Sequence, residues 1–65
     1  MYDLDLIIST VKYKLELIGI TDIDIIMGHH KGDYIPVIKI KGKDKERLMR
    51  NIKMFEYDYV VFIFK

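Results

Sequence analysis

Residues 21–43, TDIDIIMGHHKGDYIPVIKIKGK, decide how this chain is built. From Asp22 to Met27 the side chains alternate, with Ile23, Ile25 and Met27 on one side and Asp22, Asp24 and Ile26 on the other, the period-two pattern of a strand. GHHKGD brings Gly28 and Gly32 to a loop that calls for positive backbone angles, and Tyr34 to Lys41 forms the return strand, so the stretch reads as a β-hairpin. On the return strand Ile38 and Ile40 face one way, while Val37, Lys39 and Lys41 face the other. Pro36 has no N–H to donate, which predicts that its side of the strand lies at an edge or beside a bulge.

Upstream, Leu4, Ile7, Ile8, Val11, Leu15 and Ile18 recur at spacings of three and four, which predicts an amphipathic helix over residues 3–18. Asp3 and Asp5 suit its positive N-terminal end, and Gly19 suits a left-handed cap that Ile20 closes with an apolar contact. Asp5, Ser9, Lys12 and Glu16 form its water-facing stripe. Downstream, Gly42 ends the second strand, and KDKERLMRNIKMF offers Asp44 as an N-cap ahead of Leu48, Met49, Ile52 and Phe55, predicting a second helix of about three turns. YDYVVFIFK is β-branched and aromatic on both sides and reads as a strand covered on both faces.

The expected fold is therefore α+β and two-layered, in the order helix, strand, strand, helix, strand. A strand, helix, strand connection makes the last strand parallel to the second, giving a three-stranded mixed sheet with both helices on one face. The other face carries Ile26, Ile35 and Val37 with one side of the last strand, either Tyr59, Val61 and Ile63 or Val60, Phe62 and Phe64. No further residues are left to cover it, so a homodimer through Ile26, Ile35 and Val37 is expected.

At 65 residues the chain is a single domain, 1–65, close to the size at which one core only just outweighs conformational entropy. Cys is absent, which removes disulfides and thiolate zinc sites and fits a cytoplasmic setting. The apolar runs fall short of the ~20 residues of a membrane span, and no basic-then-apolar leader opens the sequence. With 51% hydrophobic and 32% charged residues, the composition is that of a globule with a charged surface. Net charge is +1 but unevenly divided: residues 1–33 sum to −3 and residues 34–65 to +4. The bases concentrate between 39 and 53, where a polyanion would find a local footprint.

In the hairpin, Asp22 and Asp24 face Val37, Lys39 or Lys41 depending on register. Read plainly, these are cross-strand ion pairs that fix register, each contributing ~0.2–1 kcal/mol. A sharper reading comes from a resemblance. The run from a helix ending in Gly19, through DIDII, a Gly-bearing hairpin and VIKIKGK, to a helix and the YDYVVFIF strand resembles the core of the PD-(D/E)xK nuclease superfamily, especially the archaeal Holliday-junction resolvases. That resemblance implies an Asp on one strand and a Glu-x-Lys on the next that hold Mg²⁺ and activate water for phosphodiester cleavage. Asp22 or Asp24 matches the family's Asp and Lys41 its Lys, but Lys39 stands at the Glu position, and the Pro that precedes the family's Asp is replaced by Thr21 or Ile23. An ammonium group there repels a hard cation that needs oxygen ligands. The resemblance thus implies a core without a working metal site, with Asp22 and Asp24 as the remaining weak metal candidates.

Such a core keeps its bases, and Lys39, Lys41, Lys43, Lys45, Arg47 and Arg50 make a phosphate-contacting set whose binding would be sequence-independent and salt-sensitive. The same run also reads as a solvated strand end and helix start, diluted by Asp44 and Glu46. His29 and His30 lie in the expected loop with only Asp33 as a third ligand, too few for zinc. Ser9, the only Ser, sits on a helix, so no Ser, His and Asp set is suggested. The function expected from sequence is a small non-catalytic binding module, nucleic-acid-associated through its basic face and needing no cofactor. The alternatives are a homodimeric protein-interaction or assembly module using the exposed sheet face, and a minimal Mg²⁺-dependent nuclease.

Overall fold

A computed structural model describes residues 3–65. Helix α1, Leu4–Leu17, opens on Asp3, whose carboxylate accepts the Leu6 N–H at 3.2 Å. It closes on Gly19 at φ +81°, with the Ile20 N–H reaching the Leu15 carbonyl at 2.9 Å and the Gly19 N–H reaching Glu16 at 3.0 Å. These two bonds make a Schellman cap, in which the left-handed residue must be glycine or pay a steric cost. Ile20, buried like Leu15, completes it as an apolar plug.

Strand β1, Ile23–His30, pairs antiparallel with β2, Asp33–Ile40, setting Asp24 opposite Lys39 and Ile26 opposite Val37. The connection is shorter than the sequence predicts. Only Lys31 and Gly32, at φ +52° and +84°, form the turn. Two successive positive φ values give the turn whose twist matches that of the flanking strands, and pairing therefore continues to the last residue before it. Gly28, His29 and His30 belong to β1 rather than to a loop. A Cβ at Gly28 would come within 3.0 Å of Val37 Cγ2, so this glycine makes room for a neighbour instead of a bend.

Helix α2 is also shorter than expected. It spans Lys45–Arg50, between single 3-10 turns at Gly42–Asp44 and Ile52–Phe55. Asn51 breaks the expected three-turn helix: its backbone leaves helical angles, at φ −115° and ψ 17°, and its side-chain Nδ2 donates to the Arg47 carbonyl at 2.8 Å. A side chain that bonds a nearby backbone carbonyl competes with helix propagation. Asp44 holds the N-cap position but makes no side-chain cap bond. Leu48 and Phe55 turn inward, whereas Met49 is 50% and Ile52 36% exposed.

Strand β3, Val61–Phe64, lies parallel to β2, and the sheet order is β1-β2-β3. Pro36 thus sits in the central strand, not an edge strand. Pairing with β3 begins one residue later, at Val37, so Pro36 lies where β2 is flanked by β1 alone. Gly42 follows β2 because a Cβ there would come within 2.9 Å of the Lys65 carbonyl, at the point where β3 closes against the sheet.

Both helices cover one sheet face. Val11 and Leu15 of α1, Leu48 of α2 and Phe55 pack with Ile20, Ile38 and Ile40 into one core, with Phe62 and Phe64 at its border. Phe55 and Phe62 meet edge to face at 5.2 Å. Lys14 straps this layer: its Nζ donates to the Met54 carbonyl and to Asp58 Oδ2, both at 2.7 Å. Among the described residues no helix is long and apolar enough to cross a membrane.

Candidate functional site

The face away from the helices is bare. Alternation and register place Asp24, Ile26, Gly28 and His30 of β1 on it, with Asp33, Ile35, Val37 and Lys39 of β2 and Val61 and Ile63 of β3. Of the two sets that β3 could have presented, Phe62 and Phe64 go to the core, so this strand is covered on one side rather than both. Ile26 is 46%, Val61 40% and Ile63 38% exposed. Val37 is half-buried, and Ile35 is already covered within the chain. The three residues expected at a dimer contact therefore share the face but differ in what they offer: Ile26 most, Val37 less and Ile35 little.

Charge is confined to the two ends of the face. At one end Lys65 Nζ meets Asp24 Oδ2 at 2.8 Å, although Lys39 is the cross-strand neighbour of Asp24. The Lys65 hydrogen bond, then its charge, and more weakly the charges of Lys41 and Lys39 hold the Asp24 carboxyl below its ordinary value. Lys39 makes no ion pair among the described residues. At the other end, beside the turn, Asp33 stands opposite His30. The open surface of β2 thus runs from an acid through an apolar centre to a base.

The six basic residues expected to contact phosphate are not gathered on one surface. Lys39 is on the open face, and Lys41 and Lys43 are exposed just beyond β2. Lys45 lies on the helix side, its Nζ 5.3 Å from the centre of the Phe64 ring. Arg47 turns away to donate from Nη1 to the Gly19 carbonyl at 3.2 Å. Arg50 lines a surface hollow of about 400 Å³ with Lys45, Glu46 and Met49. The sheet itself stands between Lys39 and the α2 bases.

The metal site implied by the nuclease resemblance does not fit these residues. Asp22 is exposed ahead of β1, Asp24 is bonded to an ammonium group, and no three acidic or His side chains converge among the described residues. His29 and His30, expected side by side in a loop, occupy successive strand positions and point to opposite faces. The ring of His29 packs edge to face on Tyr34 at 4.3 Å. With this geometry in view, comparison of the chain with family models, with curated proteins and with solved structures gave no match.

Two features escaped the sequence reading. Asp33 and Lys65 mark opposite ends of the open face, which becomes visible only once the register is known. On α1, Leu6, Tyr13 and Leu17 are each more than 60% exposed. Their spacings of seven and four align them in a second apolar stripe, apart from the buried one.

Proposed function

We propose that this chain is a small non-catalytic binding module whose working surface is the open face of the sheet, where it meets another protein surface. The supporting observation is the exposed apolar row of Ile26 and Val61 on either side of Val37, with Ile63 beside Lys39 in the next row and charges only towards the ends of the face. That layout is the anatomy of an interface: a centre that gains by leaving water and a polar rim that sets orientation. Hydroxyl-radical footprinting of the full chain, alone at rising concentration and in a cell extract, tests it. Protection of Ile26, Val61 and Ile63 is expected. Protection confined to Lys43–Arg50, with the open face still reactive, would sink the proposal.

A nucleic-acid partner is the second reading, favoured by the gathering of Lys39, Lys41 and Lys65 around Asp24, which together outnumber the one carboxylate between them. On that reading labelled DNA binds with a steep salt dependence, and Lys39→Glu with Lys41→Glu weakens binding and flattens the slope. Unchanged affinity in that variant removes this end of the sheet as a phosphate surface. Mg²⁺-dependent cleavage of DNA that disappears in Asp24→Asn would overturn both readings in favour of a nuclease.

A further inference from the structure

The open face has a polarity that selects its occupant. Along β2 its side chains run Asp33, Ile35, Val37, Lys39, negative at one end and positive at the other. Asp24 is already engaged by Lys65, so that end carries surplus positive charge, with Lys39 on the face and Lys41 just beyond the strand. We infer that the occupant is a second copy of this chain, laid face to face with strand directions reversed, so that Lys39 of each copy meets the partner copy's Asp33 across a two-fold axis. The inference rests on the open face being the working surface and adds the partner and its orientation.

Symmetry limits the choices. Two identical sheets that present the same face to each other are related by an axis lying between them, and the interface is isologous. An axis along the strands sets Lys39 against Lys39 and Asp33 against Asp33, which like-charge repulsion disfavours. An axis across the strands reverses their direction, keeps β2 over β2, and brings each Lys39 to the partner copy's Asp33. Packed sheets sit within about 30° of alignment, so these end contacts survive the twist. The same reversal sets the exposed Ile26 of β1 opposite the partner copy's Gly28, over which that copy's own Val37 leans, so the two meet as an apolar contact. The acid-to-base gradient along β2 therefore selects this axis.

Size sets the expected strength. Strands ~4.8 Å apart, rising ~3.3 Å per residue, with eight residues in β1 and β2 and four in β3, give a face about 26 Å long, about 15 Å wide at the Lys39 end and about 10 Å wide at the Asp33 end. That is less than half of the ~800 Å² per partner of a standard stable interface, so weak association, in the micromolar range, is expected.

Sedimentation equilibrium of the full chain from about 1 to 200 μM tests the inference, using wild type, Lys39→Asp, Asp33→Lys, the double swap, and Ile26→Arg, with circular dichroism to confirm folding. Wild type should form a dimer. Each single charge change should weaken it at least about tenfold, because it creates two like-charge contacts per dimer, and the double swap should return it to within a few-fold of wild type. Ile26→Arg, in the central apolar row with Val37 and Val61, should abolish association. A dimer lost in Ile26→Arg but indifferent to both single charge changes overturns the reversed orientation and leaves the working surface standing. A dimer indifferent to all four variants overturns both. A wild type monomeric at 200 μM rules out the second copy, and footprint protection of Ile26 and Ile63 in extract then shows whether the surface still serves a different protein.

Discussion

Val37 and Ile38 are neighbours on β2, both β-branched, and their side chains leave the strand in opposite directions. Ile38 is fully buried under Val11, Leu15 and Leu48, whereas Val37 stays half-buried on a face that no helix covers. The two faces of this sheet are both apolar at the centre, so hydrophobicity alone does not distinguish the covered face from the open one. What separates them is the layer above. On one side the side chains pack under the helices into the buried core, and on the other they meet solvent.

This contrast can be broken by mutation. The largest effect belongs to the covered face: Ile38→Ala should lose about 2–5 kcal/mol, a large share of the ~3–10 kcal/mol total expected for a domain of this length, as read by urea denaturation. Val37→Ala should lose less than about 1 kcal/mol, because its site is half-open. Equal losses at the two positions would erase the distinction between the faces.

Smaller effects sharpen it. Lys14→Met should cost about 1–2 kcal/mol, since it strips the bonds to the Met54 carbonyl and Asp58 and leaves a mostly buried carboxylate unpaired. Gly19→Ala should cost about 1 kcal/mol by forcing Cβ into a left-handed position beside Arg47 Nη1, the head of a flexible side chain able to move aside. Ile63→Ser, on the open face, should leave the unfolding free energy of the dilute chain within about 0.5 kcal/mol of wild type. A loss there as large as at Ile38 would mean that the face is a core even in the single chain.

The smallest effect is electrostatic. The folded Asp24 carboxyl lies below its unfolded value of about 3.9, so its contribution is fully present above that pH and is lost as pH falls through the folded value. Asp24→Asn should therefore destabilise slightly at neutral pH, converge with wild type in acid, and flatten the acid limb of a plot of urea midpoint against pH. An identical acid limb in both proteins would show that the pair with Lys65 contributes nothing measurable, as many exposed pairs do.

Much of the architecture was legible because its signals are local. The spacing of Val11 and Leu15, the Gly19–Ile20 cap, the alternation in β2 and the parallel run of β3 each follow from residues a few positions apart. Two boundaries were not legible. Leu48 and Phe55 turn inward on either side of Asn51 while Met49 and Ile52, at the same helical spacing, do not, so the break at Asn51 leaves little trace in the pattern. GHHKGD holds two glycines, and a glycine spared for a neighbouring Val37 is indistinguishable in sequence from one needed for a turn. The partner of Asp24 lay further out of reach, since Lys65 is 41 positions away and beats the cross-strand Lys39.

The sequence by itself determined the elements, their order and the apolar side of α1 and β2, because periodicity ties each side chain to a direction fixed by the local backbone. Only the tertiary structure decided which side of β3 went to the core and that the bases of α2 lie across the sheet from Lys39. A strand apolar on both sides carries no periodic instruction. Its orientation is set by register against β2, and register is resolved by competition for the space beneath the two helices.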